Sequence, residues 1–493
     1  MSSRSEASIP IPNTLTLNDA ESGVDSSAAM KLRNAITSAA AFIKASHVSD
    51  TSEYFLEAQD MLLCGPVGIS YAFMRLAEQA PKIGLASSAS SFAASAVSHL
   101  ERALSRPYMT DDDAHFPSNS TTRHCGQIGW LLRSTGPVIQ ALCCHFAGLR
   151  RCGEAELARL TKELCEELEP GFWVNPLFQG STEDVGMDSE PLSGRSGFLA
   201  GILMLRRYVK EAKQPASEAI LQQISDEAIA KMVAKIISSG EAGAKRLAKV
   251  CASTPGLENR PLAPLMWAWS ANEAISKLFH IGAGHGVIGI LSIILESPPT
   301  AYEPFHPSLL ATIDFLLSIQ TASGDLPRTY QGADWERYTV YWCHGAGGFT
   351  QFLSLLLKLN AKGALPLGAD RKDRVITGLD RSATAVWERG LLRKGPGICH
   401  GIGGSAWVLL AASQAPFLPP AIQAKYRSQA ISMGVFVTRW QELVEKGEIR
   451  LPDTPKSLFE GIAGTMCFWG DLLEIMGGGK GRGFPGMSDS GEV

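Results

Sequence analysis

HGAGGFTQFLSLLLKL, residues 344–359, sets two small residues three apart, Gly345 and Gly348, at the head of a long apolar run. The same device heads HGVIGILSIILE from His285, HGIGGSAWVLLAAS from His400 and EGIAGTMCFWGDLLE from Glu460. It recurs as SGRSGFLAGILMLRR from Ser193 and CGPVGISYAFMRLAE from Cys64. A degenerate copy, LRSTGPVIQALCCHF from Leu132, keeps only its second glycine, Gly136. The first positions fall at Gly65, Arg133, Gly194, Gly286, Gly345, Gly401 and Gly461, at intervals of 68, 61, 92, 59, 56 and 60 residues. A fixed period of this size is the mark of a repeat architecture, and about sixty residues hold two helices and their loops. Between the copies lie amphipathic stretches such as SFAASAVSHLERALS and YRSQAISMGVFVTRWQEL, apolar at helical spacing. Few stretches read as strands.

Each unit therefore reads as an outer amphipathic helix followed by an inner helix that is apolar nearly all round and must be buried on most sides. Closing the array into a ring removes the exposed ends that an open solenoid, the alternative, must cap. The expected fold is all-α: a closed α/α toroid of seven helical-pair repeats over residues 31–475, its inner helices around a central cavity. Residues 1–30 are expected to be a flexible segment. Residues 476–493, GGGKGRGFPGMSDSGEV after Met476, read as a Gly-rich disordered tail. The long interval of 92 residues is expected to hold an insertion near 239–262.

Composition narrows the function. The chain has 493 residues, 45% of them apolar, enough for a large core. A net charge of −4 offers no electrostatic footprint for nucleic acid. No apolar run is long enough to span a bilayer, and residues 1–30 lack the basic start and apolar stretch of a signal peptide. The ten cysteines show no tight disulfide spacing. The expectation is a cytoplasmic protein with reduced thiols.

In a toroid, the residues just before each first glycine share one rim of the cavity. They are Cys64, Leu132, Ser193, His285, His344, His400 and Glu460, with Cys343 and Cys399 one residue earlier still in their units. Two thiols with an imidazole suit zinc, and three protein ligands leave a fourth position open, as catalytic sites do. Chemistry alone leaves open whether His344 or His400 is the third ligand. Beside a metal, His285 is a candidate general acid or base. Glu460 reads equally as a helix N-terminal carboxylate or a ligand contact. GHGVIG, residues 284–289, matches GxGxxG formally but is one copy of the repeat.

The stretches PLSGRSGFL, PLMWAW, HIGAGHGVIGI, YWCHGAGG, LRKGPGICHGIGG and SLFEGIAGT, in this order over residues 60–475, resemble the eukaryotic members of the lanthionine synthetase C-like family. The resemblance implies an α/α toroid holding one zinc ion, with Cys343, Cys399 and His400 as its ligands and His344 in a supporting role. It makes His285 the cavity histidine that handles a proton. Lys394 and Glu460 fall on substrate-handling positions. It implies thiol addition: activation of glutathione for Michael-type attack on dehydroalanine or dehydrobutyrine residues in peptides or proteins. The alternatives are a non-catalytic scaffold that binds zinc and glutathione, and a peptide lanthionine cyclase. Departures from the family pattern are HGAGG and GGSAW within the Cys-His motifs, and Glu190 where bacterial relatives carry a catalytic aspartate. Only IPIPN, residues 9–13, remains of the usual Arg-led N-terminal segment.

Overall fold

A computed structural model describes residues 10–15, 26–45, 65–105, 135–168, 189–192, 194–268, 279–330 and 339–489. Cys64, Leu132, Arg133 and Ser193, and most of the expected flexible N-terminal segment, lie outside the described residues. Helices of eight residues or more are α1 (Ser26–Ala45), α2 (Pro66–Gln79), α3 (Ala89–Leu104), α4 (Thr135–Phe146) and α5 (Glu154–Leu168). They continue as α6 (Arg195–Ala212), α7 (Pro215–Gln223), α8 (Asp226–Ser253), α9 (Val287–Leu295) and α10 (His306–Ser318). The series ends with α11 (Ala346–Ala361), α12 (Ala369–Arg389), α13 (Ile402–Ser413), α14 (Pro420–Phe436) and α15 (Ile462–Met476). Among the described residues there is no strand, only isolated bridges His280↔Thr329 and Val340↔Gly345. The all-α expectation holds.

The apolar runs form an inner ring. In order, α2, α4, α6, α9, α11, α13 and α15 each pack on the next, and α15 packs back on α2. Sequence explains why they are inside: in α9 every residue but Ser292 is buried, because a helix apolar on all faces has no side to give to water. The outer helices bury a single stripe. In α12 it runs through Val375, Leu379, Ser382 and Val386, at spacings of four, three and four. Outside the ring α3 covers α2, α5 covers α4, α12 covers α11 and α14 covers α13, while α1 covers α15. The outer layer is less uniform than seven equal partners. Both α7 and α8 lie on α6, and α10 leans on α12. Among the described residues no helix is long and apolar enough to cross a membrane.

The structure gives form to one expectation and corrects another. The extra length near 239–262 is ordered: residues up to Ser253 complete the 28-residue α8. The chain beyond then folds back on that helix, with Met266 N–H donating to the Gly240 carbonyl and Trp267 Nε1–H to Ile236. The tail, by contrast, is not disordered over residues 477–489. Phe484, Met487 and Asp489 are buried, and the Asp471 carboxylate accepts the Arg482 and Gly483 N–H groups at 3.0 and 2.9 Å. Glycines at positive φ (Gly478, Gly481, Gly483 and Gly486) give the segment its turns. Three anchoring side chains outweigh the composition that argues for disorder.

Candidate functional site

Six of the paired glycines, Gly65, Gly194, Gly286, Gly345, Gly401 and Gly461, are the N-caps of inner helices. Ahead of four of these caps the chain makes one repeated turn. The first helical N–H reaches back seven residues to a carbonyl: Val287 to His280, Ala346 to Thr339, Ile402 to Gly395 and Ile462 to Pro455, at 2.9–3.1 Å. These bonds satisfy donors that a helix start leaves unpaired, and they press the loop against the helix. Gly345 shows the constraint best. It sits at φ +94, and a Cβ there would lie 1.7 Å from the Thr339 carbonyl oxygen.

Neighbouring loops are joined at one repeat position, two residues before the cap. Gly284 N–H donates to the Cys343 carbonyl at 3.0 Å, Cys343 N–H to Cys399 at 3.1 Å, and Cys399 N–H to Phe459 at 2.8 Å. This ladder brings together two cysteines 56 residues apart in sequence. One ligand atom each from Cys343, Cys399 and His400 lie within 4.8 Å of one another. Cys343 is buried, while Cys399 and His400 are half-buried. A hydrogen bond with Cys399, reinforced by the His344 and His400 rings, holds the Cys343 thiol well below the ordinary thiol range, although burial opposes this. Two sulfurs and an imidazole nitrogen, one sulfur already biased toward thiolate, fit a divalent ion of borderline softness. None of the described cysteines is in a disulfide.

His344 is not a member of this group. Its ring forms a triangle with His280 and His285, centroids 5.7–5.8 Å apart. His285 is the more exposed member, and its Nδ1 lies 3.1 Å from Glu190 Oε2. Glu190 is buried, and the same oxygen accepts the Leu192 N–H at 3.1 Å. Sequence reading passed over His280 because it stands six residues before Gly286, outside the two positions at which the repeat shows its chemistry. A signal was available: His280 and His285 bracket one glycine turn. Lys394 Nζ lies over the Tyr341 ring at 4.9 Å, and that ring meets His400 at 6.3 Å. The Glu460 carboxylate accepts the Thr454 hydroxyl at 2.8 Å. Residues 10–13 dock beside this region, with Ile11 N–H donating to Leu391 at 2.8 Å and Asn13 Nδ2 to Trp387 at 2.5 Å.

Burial, with the neighbouring imidazoles and Arg328 adding to it, pushes His280 from an ordinary 6.5 down to about 3. Burial likewise brings His344 to about 4, although Cys343 pulls it up. A folded value below the unfolded one means that stability is complete above about pH 6.5 and is lost as the pH falls toward 4, because only the unfolded chain takes up the proton. Each such histidine contributes a slope of about 1.4 kcal/mol per pH unit in that window. His280→Asn is expected to flatten urea-derived stability between about pH 6 and pH 5 by about that amount. An unchanged slope would show that His280 is not held neutral by the fold.

An all-helical ring whose rim loops carry a Cys-Cys-His group defines the class. The sequence model of the lanthionine synthetase C-like proteins matches residues 57–475, and the chain belongs to that family. Its relatives include glutathione S-transferase LANCL1 of Danio rerio, 28% identical over 294 residues, covering 58% of this chain and 60% of that protein. LanC-like protein GCL1 of Arabidopsis thaliana is 25% identical over 291 residues, covering 58% and 56%. The chain thus spans about six-tenths of the length of the curated relatives it matches.

Proposed function

We propose that this protein adds glutathione to dehydroalanine or dehydrobutyrine residues of peptides or proteins, with one zinc ion held by Cys343, Cys399 and His400. The convergence of those three donors within 4.8 Å carries the reading. A zinc ion bound there supplies Lewis acidity that favours a deprotonated thiol at neutral pH. The rest falls to side chains. Lys394, braced on the Tyr341 face, pairs with a glutathione carboxylate. Glu460, fixed by Thr454, offers an acceptor for the tripeptide's ammonium group. The glutathione sulfur bonds to the β-carbon of the dehydro residue, and the electron pair of the double bond moves toward the α-carbon. His285 then delivers a proton to that carbon. Its Nδ1 faces Glu190, so Nε2 is the nitrogen that gives up the proton. One S–H adds across one C=C, with no oxidant or reductant. The cytosol is the compartment that fits, because it supplies reduced glutathione and keeps Cys343 and Cys399 as thiols.

The relative named as a glutathione S-transferase supports the thiol partner. The test is to incubate zinc-loaded protein with glutathione and a dehydroalanine peptide, and to weigh the peptide by mass spectrometry. A gain of one glutathione per peptide, faster than the uncatalysed addition and lost on chelation of the metal, is expected. No acceleration over the protein-free control would refute the activity.

A further inference from the structure

Trp342, the residue before Cys343, is held on three sides. Its indole N–H donates to Gln351 Oε1 at 2.7 Å. Its face stacks on Phe484, with centroids 4.5 Å apart and planes 13° apart, and Phe459 leans against it at 5.7 Å. Phe484 also meets Phe459 edge-on at 6.0 Å and Trp407 at 5.1 Å. The Phe459 carbonyl is the acceptor for Cys399 N–H. A single ring from the C-terminal tail thus touches the residue preceding one thiol and the residue whose carbonyl holds the other.

The tail is fixed in this place by contacts that do not involve the Phe484 ring. Asp489 accepts from the Tyr71 hydroxyl and from Arg75, and its own carbonyl accepts from Arg207 at 2.9 Å. Arg482 pairs with Glu78 at 2.5 Å. Ser488 Oγ accepts from Phe484 N–H at 2.8 Å and from Gln351 Nε2 at 3.3 Å, so the tail also steadies the partner of the Trp342 indole. These anchors come from α2, α6 and α11, three different members of the inner ring. The segment is bolted across the ring, with Phe484 pressed against the loops that carry the thiols.

We propose that Phe484 is a positioning residue for the Cys343–Cys399 pair, and that residues 477–489 form the floor of the site. The proposal rests on the metal reading given above. A shift of Trp342 tilts the peptide that carries Cys343, and metal sites tolerate only small displacements of their ligands. Removing groups that orient ligands costs about 10–100-fold in metal affinity.

The test uses the full chain with zinc, and with cobalt(II) as a spectroscopic substitute. Phe484→Ala is expected to weaken zinc binding about 10-fold or more against a competing chelator. It is also expected to alter the sulfur-to-cobalt charge-transfer bands, with helical content unchanged. Phe484→Leu, which keeps bulk beneath Trp342, should recover most of the affinity, and it carries the comparison if the alanine variant does not fold. Phe92→Ala removes an equally buried ring on α3 and should leave the cobalt spectrum unchanged. Wild-type affinity and spectrum in folded Phe484→Ala, or an equal disturbance in Phe92→Ala, overturns the proposal alone. A wild-type chain that takes up neither ion overturns the metal reading and this proposal with it.

Discussion

Cys399→Ala is expected to lose its metal and keep its ring. The bonds that join the rim loops at this point are main-chain bonds: Cys343 N–H to the Cys399 carbonyl, and Cys399 N–H to Phe459. Alanine preserves both. Cys399 is half-buried, so trimming its thiol leaves no sealed cavity. The inner helices that bury the core do not depend on it. The donor set, by contrast, falls from three side chains to two. Four-ligand zinc sites contribute about 10–16 kcal/mol, or about 2.5–4 kcal/mol per ligand. Losing one therefore lowers affinity by about 100- to 1000-fold. Elemental analysis after dialysis should fall from one zinc per chain to near none, and glutathione addition should fall with it. Circular dichroism should keep its wild-type helical signal. Retained zinc would remove Cys399 from the ligand set. Loss of the helical signal would make the metal a structural strut and end the catalytic reading. Cys343→Ala is a poorer choice, because Cys343 is buried and its loss mixes a packing defect with the loss of a ligand.

What could be read in advance follows from which features repeat. The glycine pairs recur because one turn recurs, so their positions marked six helix starts without any coordinates. The same register placed Cys343 beside Cys399, since residues at one repeat position in adjoining units are neighbours in a ring. Features that occur once were harder. The fold-back that places His280 recurs in four loops, but only this one carries an imidazole there; the others hold Thr339, Gly395 and Pro455. Glu190 could be noted as a departure from the family pattern, but its contact with His285 spans 95 residues and two units. The tail misled because composition averages over residues. Its glycines argue for disorder, whereas its order rests on Phe484 meeting Trp342 and Trp407, and on Asp489 and Arg482 meeting Tyr71, Arg75 and Glu78 of α2, hundreds of residues earlier. The extra length near 239–262 shows in the 92-residue interval, but its form does not, because a long helix and a loop with extra residues lengthen an interval equally.

His285→Asn is expected to separate proton delivery from binding. The side chain lies outside the Cys343–Cys399–His400 group, so zinc content and glutathione affinity should stay at wild-type levels. Turnover should fall by about 100- to 10 000-fold, the usual contribution of a positioned general acid. Glu190→Gln tests the residue behind it. Glu190 is buried behind the imidazole and meets Nδ1, which makes it a positioning residue, and glutamine keeps its shape and one acceptor oxygen. Its loss in turnover should be smaller than that of His285→Asn. The double variant should be no slower than His285→Asn alone, because residues that act as one unit are strongly non-additive. Stopped assays with a dehydroalanine peptide, run beside zinc analysis and thermal melts, give all three rates on folded, metal-loaded protein. Additive losses would mean that Glu190 supports the α6 loop through Leu192 and does not act through the imidazole. Wild-type turnover in His285→Asn would move the proton donor elsewhere. The nearby rings could not readily take over, because burial keeps both His280 and His344 without the proton that must be given.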